Sequence, residues 1–206
     1  MRIGRPQALP EVSPIIPVAH DQAFDDPAWL FEPKYDGFRG MLYLTGREAA
    51  FRSKRGLALP RFAELAQRVR QQLGHPEAIL DGEVVALDPE GRQSFRELMA
   101  GRGDLHYAAF DLLWLDGKDL RERPLKLRRQ ALERLIPATS GVLSRIIAIE
   151  RRGRELFGAV ERLDLEGIVA KRKADPYGPG TTWYKVKNRA YTQMEGRGDL
   201  FHPRRP

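Results

Sequence analysis

The sequence has 206 residues, a formal net charge of +7 and no cysteine, which excludes disulfides, thiolate catalysis and cysteine-type zinc sites. Its length allows one domain with a sizeable core, or at most two small ones. No uncharged stretch is long enough to span a bilayer and no signal segment opens the chain, so a soluble, cytoplasmic, monomeric protein without membrane partners is expected. The basic balance favours polyanionic partners, because lysine and arginine release condensed counterions when they meet nucleic acid.

Pro6, Pro10, Pro14 and Pro17 fix φ and remove donors, which predicts an extended arm over residues 1–27. Trp29 to Lys34 reads as a strand, and Gly40 to Leu44 with Ala49 to Arg52 as a hairpin around Gly46. Pro60 opens a helix whose apolar residues Phe62, Leu65, Ala66, Val69 and Leu73 recur every three or four positions, stopped by Gly74 and Pro76. A strand over 77–88, a short helix over 95–99 and an apolar strand from His106 to Leu115 follow. Asp116-Gly117 turns the chain. Leu125 to Ile136 predicts an amphipathic helix; its many cations, within the run Arg121 to Arg134, read as a solvated face. Leu143 to Ile149 predicts a strand, Arg154 to Leu163 a helix, and Gly167 to Arg172 and Thr182 to Val186 two more strands. Strands joined by hairpin-length connections favour a mixed, mainly antiparallel α+β domain over a doubly wound parallel sheet.

Lys34-Tyr35-Asp36-Gly37-Phe38-Arg39 places an amine, a carboxylate and a guanidinium around one glycine. A protonated amine is a poor nucleophile, and nearby cations or burial favour its neutral, attacking form. Arg39 offers such a field and a planar fork for phosphate, and Asp36 a partner for the lysine or a hydrated cation. Further along come Asp81-Gly82-Glu83, Ala109-Phe110-Asp111-Leu112-Leu113, Glu166-Gly167-Ile168-Val169-Ala170-Lys171 and Trp183-Tyr184-Lys185-Val186-Lys187. Lys185 and Lys187 lie two apart, on one face of a strand. The four histidines have no metal-ligand spacing, and Trp183 reads as a packing residue.

This ordered set, over residues 28 to 188, resembles the covalent nucleotidyltransferases: ATP-dependent DNA ligases, RNA ligases and mRNA capping enzymes. The wording Phe31-Glu32-Pro33-Lys34-Tyr35-Asp36-Gly37-Phe38-Arg39 is most similar to the bacterial ATP-dependent DNA ligases of end joining. The resemblance implies two mainly antiparallel sheets with flanking helices and a nucleotide cleft between them. It implies ATP and Mg²⁺ (or Mn²⁺) as cofactors and nicked duplex DNA as partner. Lys34 would be the adenylated nucleophile. Glu32 would face the adenine edge, Phe110 stack on its ring, and Glu83 meet ribose or metal. Lys171, Lys185 and Lys187 would face the phosphates, with Arg39 and Lys54 also on the nucleotide. Asp36 and Glu166 would join Glu83 at the metal.

Two departures stand out. The family's Ser-Arg pair after the hairpin is here Ser53-Lys54, followed by Arg55, and lysine does not replace a forked donor. Only about nineteen residues follow Lys187, too few for the OB-fold that ends these ligases. The chain is therefore expected to be a minimal core with a tail over 189–206, or a part of a larger ligase, with a separate OB-fold or end-joining protein as a possible partner. An RNA ligase or capping-type enzyme shares the same lysine chemistry, and a non-catalytic ATP- or nick-binding module of end joining is the alternative from another class.

Overall fold

The computed structural model describes residues 9–137 and 141–194; the tail expected over 189–206 thus falls mostly outside the described residues. Among the described residues fifteen strands and α-helices follow one another in chain order. They are β1 (Val18–Ala19), β2 (Asp25–Pro33), β3 (Phe38–Leu44), β4 (Ala49–Arg52), α1 (Ala63–Gln72), β5 (Ala78–Leu87), α2 (Phe95–Met99), β6 (Asp104–Leu115), β7 (Lys118–Asp119), α3 (Leu125–Leu135), β8 (Leu143–Arg145), β9 (Ile149–Arg152), α4 (Gly153–Arg162), β10 (Gly167–Arg172) and β11 (Tyr184–Lys187). One sheet runs β1-β11-β10-β2-β9 and the other β4-β3-β5-β6-β7, with β8 added alongside β6. Among the described residues only the β1–β11 and β6–β8 pairings are parallel, so the mainly antiparallel α+β architecture is the one found.

Local chemistry accounts for most boundaries. Pro27 lies inside β2, where proline removes a ladder donor, but it falls at the register irregularity between Asp26 and Leu30 that tolerates it. α1 buries Leu65, Ala66 and Val69, then stops where Gly74 and His75 take φ of 74° and 64°. α2 is capped by the Ser94 side chain, which accepts from the Glu97 amide at 3.3 Å. α1 and α3 cover the second sheet, and α4 packs on β2 and β10 of the first. No helix among the described residues is long and apolar enough to cross a membrane.

Two expectations need correction. The strand read over 143–149 is two strands in different sheets: β8 pairs with β6, and β9 with β2. Leu143 and Ile146 are buried while Ile147 is 63% exposed, so the alternation of a single strand is broken and residues 146–148 cross between the sheets. The cations of α3 are not all solvated either. Arg128 and Arg129 are 1% and 7% exposed, three and four positions beyond buried Leu125 and hence on the inward stripe.

The chain crosses between the sheets a first time at residues 34–37. A Cβ on Gly37 would stand 2.1 Å from the Val84 carbonyl oxygen, so β5 closes on this turn only because no side chain intervenes. Gly37→Ala is expected to lower stability by about 1–3 kcal/mol through overpacking against backbone, read as a drop in the urea midpoint.

Candidate active site

The two sheets enclose a cleft of about 200 Å³. Lys34 follows the last residue of β2, and its amide donates to the Gly167 carbonyl at 2.8 Å. Its Nζ lies 2.5 Å from Glu166 Oε2, with Lys34 24% and Glu166 6% exposed. Glu166 is fixed from the other side: its carbonyl accepts from the Asn188 amide at 2.9 Å. Gly167 takes a φ of 153° with the Val186 carbonyl oxygen 2.2 Å from where a Cβ would sit, a conformation that selects glycine beside the carboxylate. The nearest charged partner of Lys34 is therefore a carboxylate, and the cation expected to act on it, Arg39, is engaged elsewhere.

Arg39 donates through Nε and Nη2 to both oxygens of Asp81 at 2.5 Å, and the Tyr177 hydroxyl donates to the same carboxylate at 2.6 Å. Burial works against the Arg39 charge, but the pairing with Asp81 outweighs it and holds the guanidinium more firmly protonated than usual. Burial and the Asp81 charge together push the Tyr177 phenol well above its ordinary range.

Glu83 stands opposite Arg39 across the β3–β5 ladder. Desolvation raises its pKa to about 7; Lys34 and Arg39 oppose this, and Glu166 and Asp81 reinforce it. A folded-state value above the ordinary 4.5 means that the folded protein holds this proton longer than the unfolded chain does. Stability therefore falls as pH rises from 4.5 to about 7 and levels beyond. Glu83→Gln removes the titration. The Tm advantage of this variant is expected to be absent near pH 4.5, to grow with pH, and to flatten above about 7.

At the other end of the cleft Glu32, 2% exposed, lies between two cations: Arg129 Nη1 donates to Oε1, and Lys171 Nζ pairs with Oε2 at 2.5 Å. Burial, opposed by Glu32 and Asp111, draws the Lys171 ammonium below its ordinary 10.5. Lys171 also sits 4.1 Å from the ring centres of both Phe110 and Trp183. Arg39 approaches the same Phe110 ring at 4.7 Å.

The family model of the ATP-dependent DNA ligase domain matches residues 17–187. The chain belongs to this family. The multifunctional non-homologous end joining DNA repair protein LigD of Mycobacterium tuberculosis is 32% identical over 165 residues, 78% of this chain and 22% of that protein. DNA ligase C1 of Mycolicibacterium smegmatis is 30% identical over 213 residues, 94% of this chain and 61% of the relative. Among solved structures, a mycobacterial DNA ligase D complexed with ATP and MES superposes with a TM-score of 0.72 at 30% identity, over 85% of this chain and 60% of that one. The chain thus spans about a fifth of LigD and under two thirds of the other two. The covalent nucleotidyltransferase fold expected from the motifs is the fold of these ligase domains.

Eight of the residues singled out in the sequence line the ligase-domain cleft: Glu32, Lys34, Arg39, Lys54, Glu83, Phe110, Lys171 and Lys185. Glu166 stands behind Lys34. Lys187 is exposed, and it and Asp36 lie outside the lining; Asp36 accepts from the Tyr191 hydroxyl at 2.9 Å. Arg55, next to Lys54, does not line the cleft. Trp183 is 2% exposed and forms part of the floor.

Sequence reasoning missed Ile16 and Pro17, which the arm lays against the cleft, and Arg129 behind Glu32. The arm is tied down by amides of Val12 and Ile15 donating to the hydroxyls of Tyr43 and Tyr177. Among the described residues no three His, Asp or Glu side chains gather as a metal cage. Glu83 and Glu166 beside Lys34 fit Mg²⁺ instead, which binds through one or two carboxylates together with waters and substrate phosphates.

Proposed function

We propose that this chain is the adenylating core of an ATP-dependent DNA ligase of the end-joining type, with the adenylating unit at residues 28–188 and an arm over 1–27. The observation that carries the proposal is Lys34 Nζ at the cleft, 2.5 Å from Glu166 and framed by Glu32 and Glu83. The deprotonated Lys34 amine forms an N–P bond to the α-phosphorus of ATP as the α–β phosphoanhydride bond breaks and pyrophosphate leaves. A 5′-phosphate oxygen at a nick then attacks the same phosphorus, and the N–P bond returns its electrons to Lys34. Attack by the 3′-hydroxyl on the activated 5′-phosphorus closes the phosphodiester and releases AMP.

Phosphoryl transfer depends on positioning and charge stabilisation, and this chain supplies both. Glu166 holds the amine in place, Lys185 faces the phosphates from β11, and Lys187 extends that cationic face outward. Glu83 and Glu166 would hold Mg²⁺, and the ion would supply neutralising charge for the phosphates. The net charge of +7 suits a duplex DNA partner.

Incubation with ATP and Mg²⁺ followed by intact-mass analysis is expected to show one covalent AMP. Addition of nicked duplex DNA should discharge it and yield sealed strand. A parallel nick in RNA tests the competing acceptor. Absence of any adduct under these conditions overturns the proposal.

A further inference from the structure

Arg129 stands behind Glu32 at the cleft and is supplied by a helix from outside the sheets. It reaches from α3 to donate to Glu32 Oε1, to the Phe110 carbonyl at 3.3 Å and to the Ile146 carbonyl at 2.7 Å. It thereby joins β2, β6 and the crossing at residues 146–148, three separate pieces of the wall around Glu32. Its side chain is 8% exposed and borders a second cleft of about 290 Å³, so it stands behind the lining residues Glu32, Phe110 and Ile146 rather than among them.

Glu32 and Lys34 are two residues apart and both line the cleft. With Lys34 at the α-phosphorus, the base lies beyond the sugar, toward Glu32. A carboxylate between two donor-only cations has acceptor sites left and no proton to give. It can receive the 6-amino group of adenine and opposes the 6-oxo group of guanine. That discrimination holds only while the carboxylate stays in one orientation. Lys171 is a single-point ammonium partner, whereas Arg129 is a planar fork anchored on two backbone carbonyls.

We infer that Arg129 is a positioning residue that sets the nucleobase selectivity of this domain by locking Glu32. The inference rests on the ATP reading of the cleft. Single-turnover labelling of the protein with ATP and with GTP, each with Mg²⁺, reads it directly. Arg129→Met is expected to reduce the ATP-to-GTP ratio of kcat/KM by about tenfold or more, since selectivity built on a held polar contact is lost with the hold. Arg129→Lys should recover part of the ratio. In a Glu32→Ala background, where the ratio has already collapsed, Arg129→Met should change it no further.

Equal slowing with both nucleotides, at an unchanged ratio, assigns Arg129 a structural role and overturns the inference while leaving the ATP reading intact. A parent protein that takes up neither nucleotide overturns both. Should Arg129→Met not fold, the ratio in Arg129→Lys decides alone: parental selectivity counts against the inference, and a ratio between the parent's and that of Glu32→Ala supports it.

Discussion

Lys34→Ala is expected to leave no covalent AMP on the protein after incubation with ATP and Mg²⁺, and Lys34→Arg to do the same. The nitrogen that forms the bond is gone in the first variant and held permanently protonated in the second. No other amine is a ready substitute. Lys171 is buried against Phe110 and Trp183 and paired with Glu32, and Lys54 and Lys185 hang from loop and strand positions across the cleft. Sealing of a nick that already carries AMP on its 5′-phosphate needs no new N–P bond, so it should be the step that survives best in Lys34→Ala. The measurement is intact-mass spectrometry beside a gel assay of plain and pre-adenylated nicks. An AMP adduct of parental yield in Lys34→Ala would place the nucleophile elsewhere.

The largest loss of stability is expected from Arg128→Met. Arg128 and Asp111 are joined by two hydrogen bonds of 2.8 and 2.9 Å, and both side chains are 0% exposed. Arg128 also donates to the carbonyls of Arg123 and Asp175, fastening α3 to β6 and to the loop that carries Tyr177. Removing one member of such a pair leaves a buried charge without its partner, which costs about 3–5 kcal/mol and lowers Tm on the order of 10 °C in a chain of this size. An apolar pair of similar volume restores packing without charge, so Asp111→Leu with Arg128→Met is expected to recover most of the loss. Thermal unfolding of the two variants checks the sign and the recovery. Stability of Arg128→Met within 1 °C of the parent would show that the pair holds nothing.

What the sequence disclosed, and what it did not, follows from where the information sits in the chain. Lys34, Glu83, Phe110, Glu166 and Lys185 each stand in a short stretch whose neighbours repeat a recognisable order, and that order alone placed them together. The apolar period of α1 and its stop at Gly74 were likewise local facts. Arg129 could not be found this way, because its partners Glu32 and Ile146 lie on other elements and a basic helix resembles a wet one. A signal was nonetheless present: Leu125, Arg128, Arg129 and Leu132 share one inward stripe, and arginines on such a stripe must find acceptors. The division of 143–149 between two sheets escaped for the opposite reason. After Ser144-Arg145, the stretch Ile146 to Ile149 is apolar at every position and gives no period to read, and only tertiary pairing shows that Ile146 turns in while Ile147 turns out. The engagement of Arg39 by Asp81 and Tyr177 was hidden because the register that brings Arg39 and Asp81 near each other is set by β3 and β5, not by spacing.

The two crossings have a consequence for assembly. Residues 38–145 make one sheet from strands that largely pair with sequence neighbours, whereas the other joins residues 18–33 to 149–187 across that whole interval. Ordering nearby segments is fast, and closing a loop of such length is slow. During synthesis the lysine therefore leaves the ribosome long before its carboxylate partner Glu166 and the strand β11, and the reactive chamber comes into being only once residues 166–187 have emerged.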